Sequence, residues 1–158
     1  MDILTLRALE DEDIPLLEAW LQKPYIKKYY ANAEAWLTEV RQRRDKYSYI
    51  RHFMAIYGDN AIGFCQYYDC ISADEDWYGE ADLTATYSID YMIGDEEYLR
   101  KGFGKAVVGL VCQTAKFKSG AKRIIVMPDS DNLPSINSLL ANDFVMDIKY
   151  GFYCKELI

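Results

Sequence analysis

The stretch Leu99-Arg100-Lys101-Gly102-Phe103-Gly104-Lys105, LRKGFGK in one-letter code, places two glycines one residue apart. They follow a basic pair and precede an apolar run. The chain has only 9 glycines in 158 residues, so this spacing needs an explanation. Glycines at such a point either mark a simple turn or let the backbone approach a bulky anionic group. The two explanations predict different functions, and the neighbouring residues help to decide between them.

Three phosphate-binding arrangements can be compared with this stretch. A P-loop requires GxxxxGK[ST], which Gly102 and Gly104 do not supply. A dinucleotide fingerprint requires GxGxxG, and its third glycine is missing here. The third arrangement is a strand, a short loop and a helix beginning at Gly104, whose free N–H groups form an anion-binding concavity. Arg100, Lys101 and Lys105 would add positive charge; simple helix capping remains the alternative reading.

Composition limits the class of protein. The length predicts one domain spanning 1–158, and 51% hydrophobic with 27% charged residues is typical of a globular chain. A net charge of -7 argues against nucleic acid as a partner, because phosphate binding needs a basic surface. No apolar run of 18 residues and no signal peptide are found, which predicts a cytoplasmic protein without a membrane partner. The four cysteines lack metal-ligand spacing, so we expect reduced thiols and no metal.

The hydrophobic pattern predicts the order β-α-α-β-β-β-α-β-α-β-β, an α/β chain with a mixed sheet and helices on its faces. The opening strand covers Ile3–Leu9, and it is followed by a helix whose first residues are acidic. The strand TYSIDYMIG alternates, which separates Ile89 and Tyr91 on one face from Asp90 and Met92 on the other. An irregular acidic loop, CISADEDWYGEADLTA, precedes this strand.

The glycine stretch resembles the coenzyme A loop, Q/R-x-x-G-x-G/A, of the GNAT superfamily of acyl-CoA N-acyltransferases. Leu99 stands where that loop has Gln or Arg, but one subgroup carries an L-x-K/R-G-x-G variant that fits closely. The resemblance implies the GNAT fold, a mixed and mostly antiparallel central sheet flanked by helices. It also implies acetyl-CoA as co-substrate, and it allows a homodimer through the aromatic closing strands.

The resemblance further implies which residues hold the coenzyme. Backbone amides would hold its pyrophosphate, at Arg100, Lys101, Gly102, Phe103, Gly104 and Lys105. The backbone of Met92 and Ile93 would pair with the pantetheine arm as an added strand does. Asn132 stands at the motif's Asn, a contact to that arm, although an ordinary helix cap is the alternative. Ser135 follows in the same segment, at a position where the family has Ala.

The remaining matches point to the aminoglycoside 6′-N-acetyltransferase subgroup. MPDSDNLPSINSLLANDF, GFCQYYD, DWYGEAD and SIDYMIG each resemble a segment of those enzymes, and Tyr29-Tyr30 stands where they have an aromatic pair. Two positions depart from the pattern. Leu139 replaces a tyrosine that many members use near the thiolate, and Asp143 replaces a glycine. The proton for the leaving thiolate must therefore come from another group or from water.

Acetyl transfer to an amine needs a group that takes the ammonium proton, and Asp90 is our candidate for it. It lies two residues before Met92, and the resembling enzymes have an aspartate here as base and amine anchor. A half-exposed strand aspartate with a structural role is the alternative. The only histidine, His52, is a weaker candidate because alternation places it equally well at the surface. The cysteines lack a neighbouring base, so no acyl-enzyme is expected.

The acceptor is expected to be a cationic small molecule. Carboxylates and aromatic faces would hold a polycationic sugar, and the candidates are Tyr68, Asp69, Trp77, Tyr78 and Glu80. A solvated loop in an acidic protein is the alternative. The sequence thus predicts an acetyl-CoA-dependent N-acetyltransferase acting on an aminoglycoside-like amine. Two alternatives stay open: a protein N-terminal or polyamine acetyltransferase, and a non-catalytic acyl-CoA sensor.

Overall fold

A seven-stranded sheet runs through the protein. A computed structural model describes all 158 residues. The strands are β1 (Leu4–Ala8), β2 (Ile50–Tyr57), β3 (Asn60–Asp69), β4 (Thr86–Ile93), β5 (Arg123–Val126), β6 (Val145–Asp147) and β7 (Phe152–Glu156). Their order in the sheet is β1-β2-β3-β4-β5-β7-β6. Only β4 and β5 are parallel, so the prediction of a mixed, mostly antiparallel sheet is confirmed.

Six α-helices cover the sheet. They are α1 (Ile14–Leu21), α2 (Pro24–Lys27), α3 (Ala33–Arg41), α4 (Cys70–Ala73), α5 (Phe103–Ser119) and α6 (Leu133–Leu140). The short helices α2 and α4 lie in segments that the sequence pattern left irregular. Pro24 explains α2, because proline fits the first turn of a helix. Helix α5 begins at Phe103, one residue before the predicted start.

The two faces of β4 pack into different parts of the core. Ile89 and Ile93 belong to a cluster with buried residues of α5, such as Val107. Met92 belongs to a second cluster, with Trp20 of α1 and Leu37 of α3. The predicted alternation of β4 is therefore confirmed. It places the side chain of Asp90 on the sheet face that α1 and α3 cover.

Gly94 fixes the position of α1 at the end of β4. A β-carbon built on Gly94 would lie 1.9 Å from the indole carbon Cδ2 of Trp20, which is itself buried. Only glycine lets the ring lie against the backbone at this distance. The contact brings the segment after α1 to the C-terminal end of β4. No helix of the chain has the length and apolar character that crossing a bilayer requires.

Candidate active site

Strand β4 has an open edge. It pairs with β3 from Tyr87 to Ile93, but it pairs with β5 only at Thr86 and Tyr87. Beyond Tyr87 the two parallel strands separate, and the remaining residues of β4 have no strand partner on that side. The result is a cleft between β4 and β5 whose wall carries backbone donors and acceptors.

Two tyrosine hydroxyls from the segment around α2 occupy this edge. Tyr30 donates a hydrogen bond to the carbonyl of Tyr91, and its oxygen accepts the Tyr91 N–H at 3.3 Å. Tyr25 donates to the carbonyl of Ile93 at 2.7 Å. Burial, and then the charge of Asp90, raise the pKa of Tyr30 well above its usual value, so this hydroxyl stays protonated. A coenzyme arm that pairs with this edge would replace the Tyr30 hydrogen bonds.

The expectation for Met92 needs a correction. Alternate residues of an antiparallel strand direct their backbone groups to opposite edges. Tyr91 and Ile93 face the open edge, whereas the Met92 carbonyl points to β3, 2.4 Å from a β-carbon placed on Gly63. Met92 therefore has no backbone group to offer an arm lying in the cleft. Ile93 does face the cleft, but its carbonyl already accepts a hydrogen bond.

The loop before α5 presents unpaired amides. The N–H groups of residues 100–105 have no acceptor in the protein, and the first α5 amide with one is Ala106. Gly102 has φ +84° and Arg100 has φ +60°, so the loop bends its amides into one concavity. A β-carbon built on Gly102 would meet no atom within 4 Å beyond the neighbouring residues of the chain. The residues present thus fit a diphosphate.

Charge at this loop also favours an anion. Helix α5 has 17 residues, and its positive dipole end lies at the loop. Arg100, Lys101 and Lys105 are exposed and form no ion pair with a carboxylate of the chain. A β-carbon on Gly104 would lie 3.4 Å from Ser138 Oγ, which leaves little space for a larger side chain.

Asn132 and Ser135 have structural partners at the start of α6. Asn132 caps the helix, since its Oδ1 accepts the Ser135 N–H at 3.3 Å. The Ser135 hydroxyl lies 2.8 Å from the Tyr91 hydroxyl. The capping alternative for Asn132 is therefore what the free protein shows. Ser135 thus contacts a side chain of β4, and the resemblance places a contact to the coenzyme arm at both residues.

A pocket of about 390 Å³ lies on the α3 face of the sheet, beside Asp90. Three carboxylates converge on it, one from β4, one from α3 and one from the loop after α4. Aromatic rings form much of the remaining wall. The lining residues are Ala35, Trp36, Glu39, Tyr49, Ile50, Gln66, Tyr68, Ala73, Glu75 and Asp90.

Two carboxyl groups of this pocket, Asp90 and Glu39, have raised pKa values. Burial raises the pKa of Asp90, a hydrogen bond from Gln66 opposes the shift, the charge of Glu75 adds to it, and the resulting pKa is about 6. Burial, and then Asp90 and Glu75, raise the pKa of Glu39 to about 7. Gln66 Nε2 donates to Asp90 Oδ2 at 2.9 Å. A bound cation would relieve the repulsion among these groups, so the pocket is built for positive charge.

The structure places only one of the predicted acceptor residues in this pocket. Tyr68 lines it. Tyr78 is buried against Cys70 and Phe152. Trp77 packs edge-on against the rings of Tyr78 and Phe152. These two aromatic side chains were expected to stack on a sugar, but they form a small core that anchors their loop.

The two predicted acidic residues also lie outside the pocket. Asp69 accepts a hydrogen bond from Ser72 Oγ at 2.8 Å, as part of the turn into α4. Glu80 is exposed on the loop. The acidic loop contributes instead through Glu75, whose carboxylate accepts from the Tyr78 hydroxyl at 3.2 Å. The buried tyrosine therefore holds Glu75 at the pocket rather than touching a ligand itself.

Sequence reasoning missed Glu39, Glu75, Trp36 and Tyr49. A helical period places Trp36 and Glu39 on adjoining positions of α3, which was a usable signal. The pattern alone did not show that this side of α3 lies over Asp90. Leu139, at the position of the family's tyrosine, is fully buried in the core and has no proton to give.

A larger cavity of about 990 Å³ lies elsewhere, between the C-terminal half of α5 and the strands β6 and β7. None of the predicted site residues lines it. Its charged groups have both signs, including Lys116, Asp147 and Lys155. The smaller pocket combines convergent carboxylates with the open edge of β4, so we assign the chemistry there.

The family of the chain follows from comparison with known proteins. A family model described as "Acetyltransferase (GNAT) domain" matches residues 10–150. This chain belongs to the GNAT acetyltransferase family. The match spans the cleft, the glycine loop and the carboxylate pocket, so the family expected from the sequence is confirmed, as is its fold.

Individual relatives of this GNAT chain are distant. An aminoglycoside N(6′)-acetyltransferase type 1 from Klebsiella pneumoniae is 22% identical over 142 residues, which cover 85% of this chain and 70% of the relative. A crystal structure of the aminoglycoside acetyltransferase AAC(6′)-Ib with coenzyme A has a TM-score of 0.82 at 19% identity, covering 98% and 95% of the two chains. Spermidine N-acetyltransferase from Vibrio cholerae, with coenzyme A and spermine, has a TM-score of 0.75 at 16% identity, covering 97% and 95%.

Proposed function

We propose that this chain transfers the acetyl group of acetyl-CoA to a primary amine of an aminoglycoside-like, polycationic small molecule in the cytoplasm. The observation that carries the proposal is the convergence of Glu39, Glu75 and Asp90 on one pocket beside the open edge of β4. The type of reaction is inferred from family membership, and the kind of acceptor is inferred from the charge of the pocket. The relatives that act on aminoglycosides support this choice.

The glycine loop would hold the coenzyme. Six successive amides without acceptors, at residues 100–105, match the oxygens of a diphosphate. When bound, acetyl-CoA supplies the acetyl group as a thioester. The loop lies near one end of the cleft between β4 and β5, and the carboxylate pocket lies on the face of β4. The chain can therefore bring the two substrates together on one strand.

Asp90 would take the proton from the acceptor amine. Its pKa of about 6 makes it a better proton acceptor than an ordinary aspartate, yet leaves it ionised at neutral pH. Gln66 holds Oδ2, and no donor of the chain reaches Oδ1, which stays free for the ammonium group. Glu39 and Glu75 would hold further ammonium groups of the same molecule. This division of roles favours an acceptor with several amines.

A direct attack by the amine is favoured over an acyl-enzyme. Burial raises the pKa of Cys70 and Cys112 to about 12 and that of Cys65 still higher. The fourth thiol, Cys154, also has a raised pKa. Thiolates are the reactive form of cysteine, so none of the four is set up as a nucleophile. The same free thiols fit a reducing, cytoplasmic setting.

A panel of acceptors tests the proposal. The purified protein is incubated with acetyl-CoA and one acceptor, which is kanamycin, ribostamycin, spermidine or a peptide amine. The masses of the products are then measured by mass spectrometry. We expect one acetyl group on the aminoglycosides. Acetylation of spermidine or the peptide alone would move the assignment to another acceptor class. Acetyl-CoA binding without transfer to any amine would favour the sensor alternative.

Matched variants then connect the acceptor to the pocket. Glu39→Gln should raise the acceptor KM about tenfold, which corresponds to about 1.4 kcal/mol of lost binding. Glu34→Gln is the control, because Glu34 lies on the same helix but is exposed and pairs with Arg41. Equal KM values for the two variants would contradict the role of the pocket.

A further inference from the structure

Three polar side chains form a row across the sheet. His52 of β2 is the register partner of Gln66 of β3, and Gln66 is the register partner of Asp90 of β4. Register partners point to the same face of a sheet. The row lies on the face covered by α1 and α3. It is bordered on one side by an apolar row of register partners, Met54, Phe64 and Met92.

The two outer members of the row have very different surroundings. Asp90 opens into the acceptor pocket, whereas His52 is 6% exposed and does not line that pocket. The His52 ring stacks on Phe64 with centroids 6.0 Å apart. A buried histidine thus lies two strands away from Asp90, with one glutamine between them.

Two members of this row, Gln66 and His52, have buried polar atoms without a hydrogen-bond partner. Gln66 Nε2 donates to Asp90, but Gln66 Oε1 is buried and has no donor. Both ring nitrogens of His52 are also buried and have no partner. A buried polar atom without a partner destabilises the folded protein. A hydrogen bond from a His52 ring N–H to Gln66 Oε1 would satisfy one unpaired atom of each residue at once.

The polarity of the Gln66 amide makes this pairing directional. With its NH₂ group on Asp90, the amide must present its oxygen to His52. A flipped amide would set that oxygen against the Asp90 carboxylate, where both groups are acceptors. His52 is neutral: burial lowers its pKa, a hydrogen bond with Gln66 opposes that shift, the charge of Arg43 adds to it, and the resulting pKa is about 4. A neutral imidazole has one N–H donor, which is what Gln66 Oε1 requires.

We propose that His52 is a positioning residue for acetyl transfer: through Gln66 it orients the Asp90 carboxylate, fixing Oδ2 and leaving Oδ1 to the amine. This inference rests on the proposed role of Asp90 as the proton acceptor. Other titratable groups also face Asp90, namely Glu39 from α3, Glu75 from the loop after α4, and Tyr30 and Tyr68. Arg43 is the charged group facing His52.

The test compares His52→Phe, which removes the donor, with His52→Gln, which keeps an N–H donor at the same place. In His52→Phe, we expect kcat to fall about tenfold from misplacement of the base, with an unchanged Kd for acetyl-CoA. The acid limb of the pH–rate profile should move to higher pH, because the Gln66 hydrogen bond lowers the pKa of Asp90. His52→Gln should restore both kcat and the pH limb.

A second measurement does not depend on catalysis. The Asp90 carboxyl carbon is titrated by NMR in the free wild-type protein, in His52→Phe and in Gln66→Leu. We expect the midpoint to rise in both variants. An unchanged midpoint and an unchanged pH limb in His52→Phe would overturn the inference. If the protein acetylated no amine while the NMR midpoint still rose, the proposed function would fail and the positioning row would stand.

If His52→Phe does not fold, the tautomer of the His52 ring can be measured by NMR in the wild-type protein instead. Its ¹⁵N shifts should show one fixed tautomer, and Gln66→Leu should abolish that preference. A ring that exchanges between both tautomers in the wild type would refute the row.

Discussion

Replacing the Asp90 carboxylate by an amide, in Asp90→Asn, should make the protein more stable and less active at the same time. Burial raises the pKa of Asp90 from 3.8 to about 6 in the folded protein. The folded chain therefore binds this proton more tightly than the unfolded chain does. Between pH 3.8 and about pH 6 the free energy of unfolding falls as pH rises, because the ionised carboxylate is penalised only in the folded state.

The magnitude follows from the size of the shift. A difference of about 2 pKa units corresponds to roughly 3 kcal/mol at about 1.36 kcal/mol per unit. The introduced amide carries no charge, and its oxygen can still accept from Gln66. At pH 8 the variant should therefore exceed the wild type by up to about 3 kcal/mol, which raises Tm by about 6–12 °C in a chain of this length. At pH 4 the difference should nearly vanish.

Activity should change in the opposite direction. Loss of a general base lowers kcat/KM by about 10²–10⁴-fold. Thermal unfolding at pH 4 and pH 8 and initial rates with saturating acetyl-CoA measure the two effects. Stability curves that run parallel from pH 4 to pH 8 would refute the raised pKa. A variant that keeps the wild-type kcat/KM would refute the role of Asp90 as base.

Three further substitutions test other parts of the structure. Gly104→Glu should abolish acetyl-CoA binding in calorimetry, because a carboxylate would enter the amide concavity; an unchanged Kd would refute that site. Gly94→Ala should lower stability by about 3 kcal/mol through overlap with the buried Trp20 ring, whereas Gly109→Ala, inside α5, should cost far less in the same thermal unfolding assay. Tyr30→Phe should tighten coenzyme A binding about fivefold, because it frees the Tyr91 edge; equal affinity would show that the arm does not use this edge.

The features on which the proposed coenzyme site rests are local in the sequence. The glycine spacing, the basic flanks and the following apolar helix all lie within one short segment, and the unpaired amides of residues 100–105 follow from it. The alternation of β4 is also local, since side chains of a strand point to opposite faces in turn. It placed Asp90 on its face correctly.

The acceptor half depends on packing between distant segments. Glu39 and Glu75 reach Asp90 only because α3 lies over β3 and β4 and because Tyr78 anchors its loop in a small core. The aromatic side chains of Trp77 and Tyr78 are compatible both with stacking on a sugar and with packing in a core. In the structure they pack in the core. The hydrogen bonds from Tyr30 to the open edge of β4 cannot be predicted from the sequence pattern around Tyr30.

A crystal structure with acetyl-CoA tests the central claim most directly. We expect the diphosphate on the amides of residues 100–105, with the acetyl group at the open edge of β4, facing the pocket that holds Asp90. Acetyl-CoA bound instead in the larger cavity beside β6, or a thioester directed away from Asp90, would contradict the account.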